Sequence, residues 1–444
     1  MERMAASVPI HLPVFQRFDC HSCTYCCRQP IVPVNEQDRR RIVAAGWPDR
    51  MAGQEIFVPG GAGRRQGYRL ARREDGACIF LGDDNRCRLH AETGAETKPL
   101  ACRLFPFVIV PGVGGVRLDL RMDCPSVAAN KGRTLSVHAG LAGKLAAESG
   151  ITRSLPGVPA WGAQRPITER EFAALVCAFE SVLRPTGLPL RVRLAAGCHL
   201  LDLLYDARID KIRDERFVEL LELLANAAME QAKESAGTDT GDARKIDGAP
   251  EPGAVRGQPL PARSGHLFRQ WLFLHAILDD PEAVRSSGRL NRLAGHWRRY
   301  GQARRFAAGT GVVPRIRPHW PDTTFEAIDA VEPAGEEALE PVARALRLKL
   351  DAHAFAGPAY YGYDLLTGLT ALWLLPAVIG WFARLAAIER GGHALSPDDV
   401  LTGVRQAHET FSVSPVFARV SERWRVRGLA RPGVPAAILQ RYGP

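Results

Sequence analysis

The residues in this chain best suited to chemistry are its cysteines. Eight of the ten fall between Cys20 and Cys124, and only Cys177 and Cys198 lie beyond. The run FDCHSCTYCCRQP places Cys20, Cys23, Cys26 and Cys27 within eight positions. Two-residue spacing lets successive thiolates converge on one centre from a tight loop. Adjacent cysteines normally point apart, so Cys26 and Cys27 suit two centres, or one ligand and one buried thiol. Cys78, Cys87 and Cys102 follow in a C-x8-C-x14-C pattern, and then Cys124-Pro125. Eight thiols satisfy two four-thiolate sites, or one cluster with spare or redox-active thiols. Cysteines this dense are not explained as small buried apolar residues.

Four thiolates suit tetrahedral zinc and iron–sulfur clusters alike. Cys20, Cys23 and Cys26 have the spacing of the first three ligands of a bacterial ferredoxin run, and Cys124-Pro125 could be its remote fourth. Zinc knuckles usually pair two C-x-x-C units, and no second one appears here. The cofactor expected is therefore an iron–sulfur cluster, with zinc as the alternative. Neither the C-x3-C-x2-C spacing nor the alternating βα pattern of radical enzymes is present. Arg103, beside Cys102, could give bidentate hydrogen bonds near the metal or at a cleft, or could tie two loops together. Asp19 and His21 flank the first cysteine as outer partners or as solvated loop residues. Cys198-His199 and the group Tyr360, Tyr361, Tyr363, His353 and Trp373 read as core packing. No catalytic triad, H-E-x-x-H, phosphate loop or dinucleotide-binding glycine pattern is found.

The elements that must hold these cysteines differ along the chain. Residues 15–130 read as a turn-rich, partly β module, after an arm at 1–14. Reversals at Glu74-Asp75-Gly76 and at Asp83-Asp84-Asn85, and a hairpin over residues 111–115, follow from the turn residues there. These turns are expected to bring Cys78 to Cys87 and Cys102 to Cys124. From residue 136 the pattern is helical, over 136–232 and 263–444. Thr168 with Glu171 marks a capping box, and Ser396-Pro397 another helix start. Residues 233–262 contain almost no large apolar group and read as a linker or long loop. Residues 365–383 carry no charge and read as a buried central helix rather than a membrane span. The fold class expected is α+β: a small cysteine-rich turn and hairpin module followed by a mainly α-helical domain.

Composition limits the partners. The chain has 444 residues, 46% hydrophobic and 24% charged, ordinary for a folded protein. The net charge of +10 comes from arginine in a chain rich in Ala, Gly and Pro, so no specific nucleic-acid binding is expected. MERMAASVPIHLPVF has no apolar leader and no small-residue cleavage site, so a cytoplasmic location is expected. In that reducing compartment clustered cysteines more often bind metal than form disulfides.

The motif residues resemble a known family. Cys20, Cys23, Cys26, Cys27, Cys78, Phe80, Leu81, Cys87, Pro99, Cys102, Arg103, Phe105 and Pro106 match the YkgJ-type cysteine-cluster pattern, a zinc- or iron-chelating domain. Lys98 stands where the family usually has Arg. The resemblance covers residues 18–125. It implies a metal-binding module with Cys20, Cys23, Cys26, Cys27, Cys78, Cys87, Cys102 and Cys124 as candidate ligands. The whole chain resembles the flagellin lysine-N-methylases more weakly, in architecture only. That resemblance implies methyl transfer to a protein lysine from S-adenosylmethionine, without assigning a residue to it. Three classes stay open: such an enzyme, a structural or metal-carrying module, and a protein-interaction domain with a redox-sensing cluster.

Overall fold

The computed structural model describes residues 8–28, 32–60, 67–162, 165–184, 187–207, 211–241, 260–277 and 289–444. The chain divides into two compact units. One comprises Met1–Pro111 and Gly115–Arg153, the other Gly112–Gly114 and Ser154–Pro444. The class is α+β, with small sheets in the first unit and helices dominating the second.

The first unit holds two three-stranded sheets among the described residues. In one, β1 (Ile10–His11) pairs in parallel with β6 (Gly115–Leu120), with Ile10 opposite Val116, and β5 (Phe107–Gly112) lies on the other side of β6. The turn between β5 and β6 uses Gly114 at φ +74°, a conformation that costs glycine nothing. The second sheet has the order β2 (Pro33–Val34), β4 (Tyr68–Leu70), β3 (Phe57–Pro59), all antiparallel. Helix α1 (Glu36–Ala44) starts at Asn35, whose side chain accepts from the Asp38 N–H while the Asp38 carboxylate accepts from the Asn35 N–H. Val34, Ile42, Trp47, Met51, Ile56, Leu70, Phe80 and Leu89 close a core against which Cys78 and Cys87 pack. Trp47 and Phe80 meet edge to face at 5.0 Å between ring centroids.

Three expectations change here. The arm is not separate, because Ile10 and His11 are β1. The cysteine unit does not end at 130 but runs to Arg153. Helix α6 (Ala139–Glu148) belongs to it, because Ala142, Leu145 and Ala146 are buried and the helix packs on β1 and on α4 (Leu100–Leu104). The linker also starts later than 233. Helix α9 (Asp214–Gly241) runs through 233–241, because Gln231, Ala232, Lys233 and Glu234 are good helix formers and Lys233 pairs with Glu230 one turn back. Residues 242–259 lie outside the described residues, and α10 (Ala262–Ala276) begins just after them.

In the second unit α7 (Glu169–Leu183), α8 (Leu190–Asp206) and α9 pack on one another. The expected capping boxes form at Thr168 with Glu171 and at Ser396 with Asp399. The helix Leu365–Glu389 runs through Pro376 and is long and apolar enough to cross a membrane, yet 94% of its most apolar window is buried within the chain. Helices 397–408, 434–442, 420–429 and α8 pack around it. Cys198, Tyr360, Tyr363 and Trp373 are core residues of this unit, and His353 is buried with them.

Gly197 of α8 lies close against this central helix. A Cβ there would run into the indole of Trp373. Gly197→Ala is therefore expected to destabilise the chain by about 1–3 kcal/mol, the usual range for overpacking, despite the better helix propensity of alanine. Denaturant unfolding of the variant checks this, and an unchanged midpoint would refute the contact.

Candidate metal centre

Two local anchors launch the C-x-x-C-x-x-C-C loop. Phe18 and Asp19 donate their N–H groups to the carbonyls of Arg133 and Lys131, and the Arg17 N–H donates to the Asn130 side chain at 2.7 Å. Gly132 permits this approach, since a Cβ there would meet the backbone at Asp19. The Asp19 carboxylate accepts from the Arg133 N–H and guanidinium, which hold it well below the usual carboxylate range. The chain thus enters the motif beside α5 (Pro125–Ala128), whose first flanking residue is Cys124. His21 Nδ1 lies 3.0 Å from Ser126 Oγ in the same place.

Within the motif, Ser22 and Thr24 take left-handed backbone conformations, at φ +51° and +62°. For residues other than glycine each costs roughly 1–2 kcal/mol and persists only where contacts hold it. Tyr25 is such a contact: its hydroxyl reaches the buried Asp123 carboxylate at 3.4 Å and its ring lies 6.4 Å from Phe105. A 3-10 turn, Tyr25–Arg28, then carries Cys26 and Cys27. Their sulfurs are 4.0 Å apart. Adjacent cysteines were expected to point apart, but this tight turn folds both toward one side. Two thiolates on one tetrahedral ion with 2.3 Å bonds stand about 3.8 Å apart.

The second half of the motif arrives by a different route. Phe80 and Leu81 are buried, and on either side of them isolated bridges join Arg72 to Cys78 and Leu81 to Cys87. The turn between is closed by the Gly82 N–H donating to the Arg86 carbonyl, with Asn85 at φ +63°. The Cys78 N–H donates to the Cys27 carbonyl at 2.7 Å, which joins the two halves. Cys87 flanks the start of α3 (Arg88–Thr93), and Cys102 lies in α4.

The charges that act on each thiol show which are neighbours. Cys27 feels Cys26, Cys78 and Cys87, and Cys102 feels Cys78, Cys87 and Cys26. Cys124 instead feels Cys23 and Asp123. Where Cys102 was expected to pair with Cys124, its charged neighbours are instead Cys78, Cys87 and Cys26, while Cys23 acts on Cys124. Cys20 and Cys23 are exposed, Cys124 is buried, and Cys26, Cys27, Cys78, Cys87 and Cys102 are half-buried. Among the described residues no three His, Cys, Asp or Glu side chains are grouped closely enough to hold a metal ion as they stand.

The thiols differ in acidity. A hydrogen bond from Cys27, and then the Lys98 ammonium, bring Cys26 down to about 6 against the cost of burial. Cys27 is pushed far up because its proton serves that bond. Burial pushes Cys78 and Cys124 up to about 11 and Cys102 higher still, with neighbouring thiolates adding to the rise. Lys98 opposes this at Cys102, and Arg72 at Cys78. The sequence pattern marks Lys98 only as a departure from the family's Arg, whereas the fold brings its charge within reach of Cys26 and Cys102.

Arg103 is engaged on every side within the first unit. Its Nε donates to the Lys98 carbonyl at 3.1 Å and one Nη to Glu96 at 2.9 Å. The Glu148 carboxylate of α6 takes both Nη groups, one at 2.7 Å. These bonds fix α4, and with it Cys102 and Lys98.

The donor set suits a thiophilic metal. Half-buried thiols that raise one another's pKa cannot all ionise together unless a cation joins them. Comparison with known proteins agrees. Residues 19–129 match the CxxCxxCC family, described as "Putative zinc- or iron-chelating domain". An uncharacterised protein of Methanocaldococcus jannaschii is 34% identical over 92 residues, 20% of this chain and 29% of that protein. The match therefore spans less than a third of that relative. No solved structure matches the chain.

Two outcomes follow for the metal-free protein. Alkylation should label Cys26 first, with its rate half-maximal near pH 6, while Cys78 and Cys124 lag until about pH 11. Peptide mass spectrometry reads this, and uniform labelling with midpoints near the ordinary thiol value of about 8.5 would refute it. Because the folded value of Cys26 is depressed, its contribution to stability is present above the ordinary thiol value and fades as pH falls through about 6. Second, Arg103→Ala should lower stability by about 1.5–3 kcal/mol, the range for charged hydrogen bonds, with a smaller loss in Glu148→Gln. The urea midpoint measures both.

Proposed function

We propose that the N-terminal unit is a thiolate metal-binding module that carries an iron–sulfur cluster. The observation that carries this reading is the convergence of Cys26, Cys27, Cys78, Cys87 and Cys102 from separate segments into one electrostatic neighbourhood. The similarity of residues 19–129 to a zinc- or iron-chelating domain supports it. When bound, such a cluster supplies an electron-transfer couple.

The chain's own residues prepare the site for that charge. Four thiolates on one centre leave it negative. Lys98 and Arg72 face the thiols and offset that charge, which favours the thiolate forms. Phe80 and Trp47 hold the Cys78 and Cys87 segment on a packed core, and Arg103 with Glu148 holds α4. The ligands thus come from rigid supports on one side and from the turn-held Cys26 and Cys27 on the other.

Protein purified without oxygen should be brown, with iron and acid-labile sulfide in stoichiometric amounts. Cys26→Ser and Cys102→Ser should lose the metal and the colour, whereas Cys177→Ser, at an exposed site in the other unit, should keep both. Colourless protein with stoichiometric zinc and no sulfide would reject the iron–sulfur form while leaving the thiolate site standing. Metal retained in both Cys26→Ser and Cys102→Ser would reject the five-thiol grouping.

A further inference from the structure

The helical unit holds a second concentration of charge, unrelated to the thiols. From Arg289 to His319 the chain has eight arginines and neither Asp nor Glu. Without those eight, the rest of the chain has 50 basic and 48 acidic residues and is nearly neutral. The arginine excess is therefore not spread over the surface, as composition alone suggests. It sits on the helix Arg289–Ala308 and the loop after it.

Two adjoining cavities of about 500 and 530 Å³ lie against this segment and share Gln302 and Arg315. The smaller also contains Asp322 beside Arg305. Among the described residues the larger has no acidic residue in its lining, which holds Arg298, Arg299, Arg315 and Arg317 together with His319. Phe273, Ile277 and Ile316 give it an apolar side. Two of the arginines are unspent. Arg315 is exposed and gives its Nε to the Trp320 carbonyl, which leaves its Nη groups available. Arg298 is exposed and makes no hydrogen bond or ion pair among the described residues. Arg317 differs: it is buried and held by Glu409 and by the carbonyls of Ala276 and His275, so it shapes the cavity wall.

Guanidinium groups with free Nη donors match phosphate oxygens bidentately. A cavity of this size, apolar on one side with a few convergent polar groups, has the anatomy of a small-molecule site. We propose that the larger cavity binds a phosphate ester of nucleotide size, with its phosphates on Arg298 and Arg315 and its ring or apolar body against Phe273 and Ile277. The ligand must be anionic because, among the described residues, the lining has no carboxylate to meet Arg298 and Arg315. It must be more than a bare anion because half of the wall is apolar.

Titration of the full chain with ADP, inorganic pyrophosphate and adenosine, in about 150 mM salt to screen diffuse attraction, tests this. ADP should bind saturably, pyrophosphate more weakly, and adenosine not measurably. Arg298→Glu and Arg315→Glu should each weaken ADP by about tenfold or more, as loss of a charged hydrogen bond does. Arg304→Glu makes the same charge change at an exposed position outside both cavity linings and should change binding less than about twofold. All three positions are exposed, and circular dichroism checks that the variants fold. The proposal fails if ADP does not saturate, if pyrophosphate binds as tightly as ADP, or if Arg304→Glu weakens ADP as much as Arg298→Glu. It also fails if neither Arg298→Glu nor Arg315→Glu changes binding.

Discussion

Several thiols confined to one small, half-buried volume cannot all carry charge unless a cation joins them. That constraint organises the first unit. Its hydrogen bond to Cys26, and then burial, push Cys27 toward the protonated form, burial and neighbouring thiolates do the same to Cys78 and Cys102, and only Cys26 is drawn the other way. Such an arrangement is poorly satisfied on its own. It becomes favourable when a metal replaces the protons, so the free energy of metal binding is also folding free energy for this unit.

The supports are consistent with that role. A small unit with short strands and many turns buries little apolar surface. What core it has lies directly under the thiols, through Trp47, Phe80 and Leu89. Polar ties do the remaining positioning. Arg103 with Glu148 anchors α4, and Tyr25 with Asp123 anchors the left-handed loop. Each tie joins residues distant in sequence, so displacing one anchor shifts a thiol relative to its partners.

The helical unit follows a different logic. Its central helix, Leu365–Glu389, is uncharged as far as Ala383 and is covered by its neighbours, with glycines at close crossings. The one arginine buried in that helix, Arg384, is held by the Val331 and Tyr442 carbonyls, whereas the arginine excess is gathered on the helix Arg289–Ala308 and the loop after it, so a near-neutral remainder carries one intensely basic region. An average over the whole composition conceals this, because it weighs each arginine without regard to where its acidic neighbours are.

The sequence by itself determined the features that depend on near neighbours along the chain. The capping boxes at Thr168 and Ser396, the hairpin closed by Gly114, the reversal at Asn85 and the buried helix over 365–383 were legible, since each rests on side chains a few positions apart. The inventory of eight cysteines was legible too. Tertiary structure decided how that inventory is shared: Cys26 and Cys27 turn to the same side, Cys78 and Cys87 act on Cys102, and Cys23 acts on Cys124. It also decided that α6 belongs with the cysteines, because Arg103 finds its carboxylate at Glu148, 45 residues away. The physical reason is range. Caps and turns are set by backbone geometry within a few residues, whereas the ionisation of a thiol is set by burial and by charges that reach it only after distant segments have packed together.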